Sequence, residues 1–228
     1  MAGSGTRTSE KYDSPKPLIL LKDKPLFAWA LGGLPIDLAS EIRVVTNRTV
    51  AGHPQFNKLI EKFMPAKLKV SVEVLQKQTS GQAETVLQGS KGINQKNGIL
   101  IYNCDTVISD NFPRDFEKWD GLLGSFKSCS PGLSYLETID KKVIRTVEKQ
   151  VISNNASTGL YYFGSLELFE KAFIGTKHQK ESYVAPMYNA LIQNDLQVSY
   201  FDTKVVYPLG TPEEIESFKK INFLDEKR

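Results

Sequence analysis

The chain has 228 residues, 40% of them apolar and 24% charged, with a formal net charge of +3. That length buries roughly 70–75% of the unfolded surface, so one core can form without disulfide staples; no apolar run reaches membrane-span length, and the scattered lysines make no nucleic-acid footprint. Cys104 and Cys129 are the only thiols, and without metal-ligand spacing they fit a reduced, cytoplasmic protein and speak against structural zinc.

Near the amino end, Ala2-Gly3-Ser4-Gly5-Thr6-Arg7 precedes Pro15-Lys16-Pro17-Leu18. Gly3 and Gly5 can adopt positive φ and turn successive N–H groups into one anion-binding concavity, with Arg7 and Lys16 supplying charge. The same Gly-Ser-Gly composition also describes a flexible tail. Leu18 to Leu21 reads as an extended segment. Asp23 then reads as the N-cap and Pro25 as a first-turn residue of a helix with the apolar stripe Leu26, Phe27, Trp29, Ala30, Leu31 and Leu34.

Ile42 to Thr46 reads as a buried strand, and Phe56, Leu59, Ile60 and Phe63 recur at helical spacing after Pro54. Leu68 to Leu75 returns to a strand. The turn Thr79-Ser80-Gly81 opens a helix over Gln82 to Gly89, and Gly98 to Asn103 is a second buried strand. This alternation predicts an α/β fold with a parallel sheet covered by helices and ligands at the carboxyl ends of the strands. In the second half, Leu122 to Phe126, Leu133 to Ile139, Val143 to Val147 and Gly159 to Phe163 read as strands joined by short turns, an antiparallel portion. Helices are expected at Leu166 to Phe173, at Val184 to Gln193 and after Thr211, where Pro212 and Glu214 complete a capping box.

Asp105 ends the apolar strand Ile99-Leu100-Ile101-Tyr102-Asn103-Cys104, at the sheet edge where ligands collect. A carboxylate there suits Mg²⁺, which binds through one or two carboxylates plus substrate phosphates. It also suits an ordinary turn. A phosphate cradle together with a metal carboxylate points to phosphoryl or nucleotidyl transfer.

Ala2-Gly3-Ser4-Gly5-Thr6-Arg7, Pro15-Lys16-Pro17-Leu18, Lys24-Pro25-Leu26, Asn103-Cys104-Asp105, Glu148-Lys149, Gly159-Leu160-Tyr161-Tyr162-Phe163 and Leu209-Gly210-Thr211-Pro212-Glu213 resemble, in order, the motifs of the sugar-nucleotide pyrophosphorylase type of nucleotidyltransferases. The resemblance covers nearly the whole chain. It implies a Rossmann-like mixed sheet with helices on both faces and a small antiparallel portion in the second half, forming one domain over residues 1–228. Residues up to about 120 would bind nucleotide and the rest the acceptor. It further implies transfer of NMP from an NTP to a small phosphorylated acceptor, with release of pyrophosphate and dependence on Mg²⁺.

By that resemblance Ala2, Gly3, Ser4, Gly5, Thr6 and Arg7 would hold the triphosphate, Lys16 would neutralise charge at the α-phosphate, and Asp105 would hold the metal. Gly81 and Gln82 match a base-recognition turn, the amide being able to present both a donor and an acceptor. A solvated Gln at an ordinary turn reads equally well. Glu148, Lys149, Gly159 and Tyr183 would face the acceptor, although a charged pair at a strand end is also simply solvated. Tyr183, Pro186, Tyr188 and Asn189 look like a segment near the acceptor in capsule-type members, and core packing explains Tyr188 as well.

Three positions depart from the family pattern. The strand usually found just before the glycine loop is not present ahead of Ala2, so the N-terminal strand is expected to be missing and Met1 need not be the natural start. Pro208 stands where many members have a second metal Asp, with Asp202 a weaker candidate upstream; Thr8 stands where an aromatic is common. His53 and His178 lack the partners of a hydrolytic triad, and Asp105-Thr106-Val107 lacks the Asp-x-Asp of a metal-dependent glycosyltransferase. The expectation is a cytoplasmic nucleotidyltransferase acting on a sugar 1-phosphate or on a phosphocholine-like or phosphoamino-acid acceptor of a surface-polysaccharide pathway. The alternative is a catalytically weak nucleotide-binding regulatory or assembly domain of the same fold. Neither nucleic acid nor membrane is an expected partner, and a homo-oligomer is left open.

Overall fold

The computed structural model describes residues 1–3, 8, 10–109, 112–176 and 180–221. Ser4, Gly5, Thr6 and Arg7 of the expected cradle, and His178, lie outside the described residues. Pro15 and Pro17 fix the backbone on either side of Lys16, and Lys16–Leu18 form one 3₁₀ turn closed by the Leu18 N–H donating to Pro15 O at 2.8 Å. β1 (Leu20–Leu21) and β2 (Lys24–Pro25) then make a tight antiparallel hairpin. Its turn holds Lys22 at φ 49° and Asp23 at φ 68°. Asp23 is therefore a hairpin residue and not the expected N-cap, because two positive φ values match the twist of a two-residue hairpin. Pro25 occupies the cap position of α1 (Leu26–Leu31) instead.

β3 (Glu41–Asn47), α2 (Arg48–Ala51), α3 (Phe56–Phe63) and β4 (Lys69–Leu75) form the expected βαβ unit. β3 and β4 pair in parallel from Glu41 opposite Lys69 to Asn47 opposite Leu75. Leu18 is buried with Phe27, Val50, Phe56 and Leu59, which ties the Lys16 turn to this unit. α4 (Gln82–Gly89) follows with the expected bounds, and packs so closely that a Cβ on Gly89 would lie 2.3 Å from the Val45 side chain.

The remaining elements are β5 (Ile99–Ile101), β6 (Thr106–Ile108), β7 (Gly121–Lys127), β8 (Ser134–Ile139), β9 (Lys142–Glu148), β10 (Asn155–Phe163), α5 (Leu166–Gly175), α6 (Tyr188–Gln193), β11 (Val198–Asp202), β12 (Val206–Pro208) and α7 (Pro212–Lys219). Six of these strands form one mixed sheet in the order β5-β10-β7-β11-β9-β8, in which β7 and β11 are parallel and the other neighbours antiparallel. β6 and β12 pair separately. The expected helix over Val184 to Gln193 divides into a 3₁₀ turn at Ala185–Met187 and the α-helix α6.

The main core joins both halves, with Ala83, Ile101, Phe163, Phe169 and Tyr188 among its members. Tyr188 is fully buried and its hydroxyl donates to Tyr162 O at 2.7 Å. Gly121 lies under the Tyr188 ring, where a Cβ would approach a ring carbon to 2.7 Å. Tyr188 is thus core, and Asn189 is a strand clamp: its side chain accepts from Thr146 N and donates to Thr146 O at 2.9 and 2.8 Å.

Candidate active site

One cavity of about 1770 Å³ collects the described candidates. Ala2, Gly3, Lys16, Gly81, Gln82, Asp105, Glu148, Lys149, Gly159 and Tyr183 all line it. They come from two ends of the fold. At one end, the Pro-Lys-Pro turn carries Lys16 to the Asp105 carboxylate, Nζ to Oδ2 at 2.7 Å, and to Gly210 O at 3.2 Å. Side-chain exposure is 14% for Lys16 and 33% for Asp105, so the pair is half-shielded and still open to a ligand. Gly210 is fixed from behind. Glu214, three residues into α7, accepts from both Gly210 N and Thr211 N at 2.7 and 2.9 Å, while Thr211 caps the helix in return.

Residues 2 and 3 are held by Asn47, whose Nδ2 donates to Ala2 O and Gly3 O, both at 3.3 Å. Asn47 also caps α2 through Oδ1, so one side chain joins the start of the glycine segment to the carboxyl end of β3. Asp202 ends β11 beside Ser125 and is not among the residues lining the cavity. Pro208 pairs with Thr106, next to Asp105, and offers no side-chain oxygen there. Among the described residues no group of three or more His, Cys, Asp or Glu could hold a metal. What remains fits a hard cation held by a single carboxylate, Asp105, with water and phosphate oxygens completing the shell.

The base-turn candidates are set by close approach. A Cβ on Gly81 would sit 2.5 Å from Ser182 O and 2.7 Å from Ser182 N, both backbone atoms, so only glycine fits. Ser182 clasps the turn from the far half of the chain, accepting from Ala83 N at 2.9 Å and donating to Ser80 O at 3.0 Å. Gln82 is not simply solvated. Its Nε2 donates to Asn103 Oδ1 at 2.7 Å, and Asn103 in turn packs on Gly159, which bends β10 at φ 82° where its register with β7 shifts.

At the other end, Glu148 closes β9 and accepts a hydrogen bond from the Ser134 hydroxyl. Burial pushes its carboxyl above the ordinary range, with the Ser134 bond working the other way. Lys149 follows at φ 55°, its N–H donating to Leu133 O at 2.9 Å, and this turn swings its ammonium toward Tyr183 and Glu181. Lys149 Nζ lies 3.5 Å from Glu181 Oε2 and 4.6 Å from the Tyr183 ring centroid; it donates to the Tyr183 hydroxyl, which donates to Glu181. The hydrogen bond to Tyr183 and the Glu181 charge raise the Lys149 pKa, so the cation is retained.

Asn47, Ser134, Glu181 and Ser182 carry no functional signal in the sequence, and Asn103 shows only as part of a motif. None belongs to a periodic pattern. Each acts through a partner far along the chain, and only the polar character of Lys180-Glu181-Ser182-Tyr183 marked that segment as other than core.

No family model and no curated protein matches the chain. Solved structures do. A nucleoside-diphosphate-sugar pyrophosphorylase from Vibrio cholerae superposes with a TM-score of 0.86 at 25% identity, covering 97% of this chain and 98% of that one. A UDP-glucose pyrophosphorylase complexed with UDP-glucose gives 0.77 at 20% identity, over 100% of this chain and 97% of the other. The inositol-1-phosphate CTP transferase from T. maritima gives 0.75 at 14% identity, over 99% and 91%. With described residues of six of the seven ordered motifs lining one cavity of this shared architecture, the chain has the fold of the NTP transferase family, the sugar-nucleotide pyrophosphorylase-like nucleotidyltransferases.

Proposed function

We propose that the chain transfers NMP from an NTP to a phosphorylated acceptor and releases pyrophosphate. One observation carries the reading: a single cavity has Gly3, Lys16 and Asp105 at one end and Glu148, Lys149 and Tyr183 at the other, with the Gly81 turn between. An acceptor phosphate oxygen attacks the α-phosphorus, a new P–O bond forms, and the bond to the β-phosphate oxygen breaks with its electrons leaving on pyrophosphate. No general base is needed, because a phosphate monoester is already anionic at neutral pH. Lys16 neutralises charge that develops at the α-phosphate, the kind of preorganised stabilisation that commonly supplies the largest catalytic contribution. Lys149, kept cationic by Tyr183 and Glu181, suits the acceptor phosphate, and Glu148 suits acceptor hydroxyls. Gln82, with its Nε2 occupied by Asn103, has Oε1 to accept from a base amine.

Mg²⁺ would be held by Asp105 and would supply charge neutralisation across the triphosphate. The acceptor we propose is a sugar 1-phosphate, followed by phosphocholine-like or phosphoamino-acid acceptors of surface-polysaccharide synthesis. Two free cysteines fit work in the cytoplasm. No helix among the described residues is long and apolar enough to cross a membrane. The test is pyrophosphate release with a panel of NTPs, sugar 1-phosphates and Mg²⁺; binding of an NTP without turnover on any acceptor would favour a regulatory domain instead, a reading that Pro208 beside Thr106 supports.

A further inference from the structure

Residues 181–183 touch two parts of the cavity at once. Ser182 is buried and faces the base turn: its N–H donates to Ser80 O at 3.0 Å and its carbonyl accepts from Ala83 N at 2.9 Å. Its hydroxyl oxygen accepts from Ser80 Oγ at 3.0 Å and from Glu84 N at 3.2 Å, so backbone and side chain both grip residues 80–84. The residues on either side of it hold Lys149 instead, through the Glu181 carboxylate and the Tyr183 hydroxyl. Glu181 meets both partners. Its Cγ lies 3.0 Å from the place a Cβ would take on Gly81, while its Oε2 lies 3.5 Å from Lys149 Nζ.

A lysine has a long, flexible stem, and ordering it costs side-chain entropy. The Lys149 and Glu181 side chains are 50% and 48% exposed, so their attraction alone is weak and does not fix the ammonium in space. What gives the contact a definite place is the anchoring of Glu181 itself, against Gly81 and through the backbone of Ser182. We infer that Glu181 is a positioning residue for Lys149, and that Ser182 makes this position depend on the base turn, so that three consecutive residues couple the two subsites. On the transfer reading above, a base seated at Gly81 sets the place of the cation that receives the acceptor phosphate. By linkage the acceptor then tightens the turn in return.

The test labels the full chain with acetic anhydride, each variant well below its unfolding transition, and reads Lys149 by peptide mass relative to Lys58, which is exposed on α3. Acetylation needs the neutral amine, so an ammonium released from Glu181 and Tyr183 reacts faster. Glu181→Gln keeps the stem against Gly81 and removes the charge; it is expected to raise the Lys149 to Lys58 ratio about threefold. Ser182→Ala and Gly81→Ala leave in place every group that contacts Lys149, and each is expected to raise the ratio about twofold because Glu181 is no longer fixed. Labelling does not depend on turnover, so its outcome is separate from that of the transfer reaction. With the NTP and sugar 1-phosphate that turn over in the panel above, Glu181→Gln is expected to raise the acceptor KM about fivefold with kcat and the NTP KM nearly kept, whereas Ser182→Ala raises both KM values. An unchanged ratio in Glu181→Gln overturns the inference, as does an unchanged ratio in both Ser182→Ala and Gly81→Ala. An unchanged acceptor KM in an active Glu181→Gln enzyme overturns it as well.

Discussion

Lys16 and Asp105 stand 89 positions apart in the chain and meet at 2.7 Å on the rim of the cavity. The two groups bring opposite charges to one place, so under the proposed reaction a triphosphate and its cation would each find a partner there without either charge being buried alone. Lys16→Met is expected to lower the rate of pyrophosphate release by about 10²–10³-fold. Because the pair is partly exposed, its contribution to stability is at most about 1 kcal/mol, and the variant should unfold in urea near the parent midpoint. A large fall in stability with unchanged turnover would show the pair to be structural.

Asp105→Asn separates metal from fold. Loss of groups that merely orient metal ligands costs roughly 10–100-fold in metal affinity, and loss of the sole carboxylate should cost at least as much. The expected result is a shift of the Mg²⁺ requirement to higher concentration, and EDTA should abolish turnover of the parent. Activity that survives EDTA would remove Asp105 from the metal-binding role.

Gly81→Ala tests the clasp between the base turn and Ser182. The added methyl meets backbone atoms at 2.5 and 2.7 Å, which cannot rotate away as a side chain would. A loss of about 1–3 kcal/mol in urea unfolding is expected, with weaker NTP binding in calorimetry. Unchanged NTP affinity would separate the turn from nucleotide recognition.

Glu148 predicts a pH dependence of stability. Burial raises its folded-state pKa above the usual 4.5, so between that value and the raised one the folded chain holds a proton that the unfolded chain has released. Stability therefore falls as pH rises through this window and stays lower above it. Glu148→Gln keeps a partner for Ser134 without the charge. Its Tm should match the parent near pH 4, exceed it at pH 7, and be accompanied by a higher KM for the acceptor. A variant less stable at pH 7 would contradict the sign.

Long periodic segments were legible in the sequence because their pattern is local: Gln82 to Gly89, the βαβ unit and the Thr211 capping box stand where the residues put them. Asp23 reads equally as an N-cap or a hairpin residue because both positions favour the same residue types, and only the pairing of Leu21 with Lys24 decides between them. β6 and β12 are three residues each and are strands only by pairing with one another, across nearly a hundred positions. The site divides in the same way. Lys16, Asp105 and Glu148 sit in motifs or at strand ends, whereas Glu181 and Ser182 acquire meaning only through Lys149 and Gly81.

The place of β11 in the sheet bears on how the chain is made. Residues 198–202 lie between β7 and β9, so a nascent chain that has emerged only as far as α6 leaves the facing edges of β7 and β9 unpaired, although β8 and β10 already pair across the other side. Such edges invite pairing with other chains. The sheet can close only late in synthesis, and long-range closure of this kind is slow. Fragments released before residue 202 are then the species most prone to aggregate, and slow decoding between α6 and β11 would lengthen the hazard.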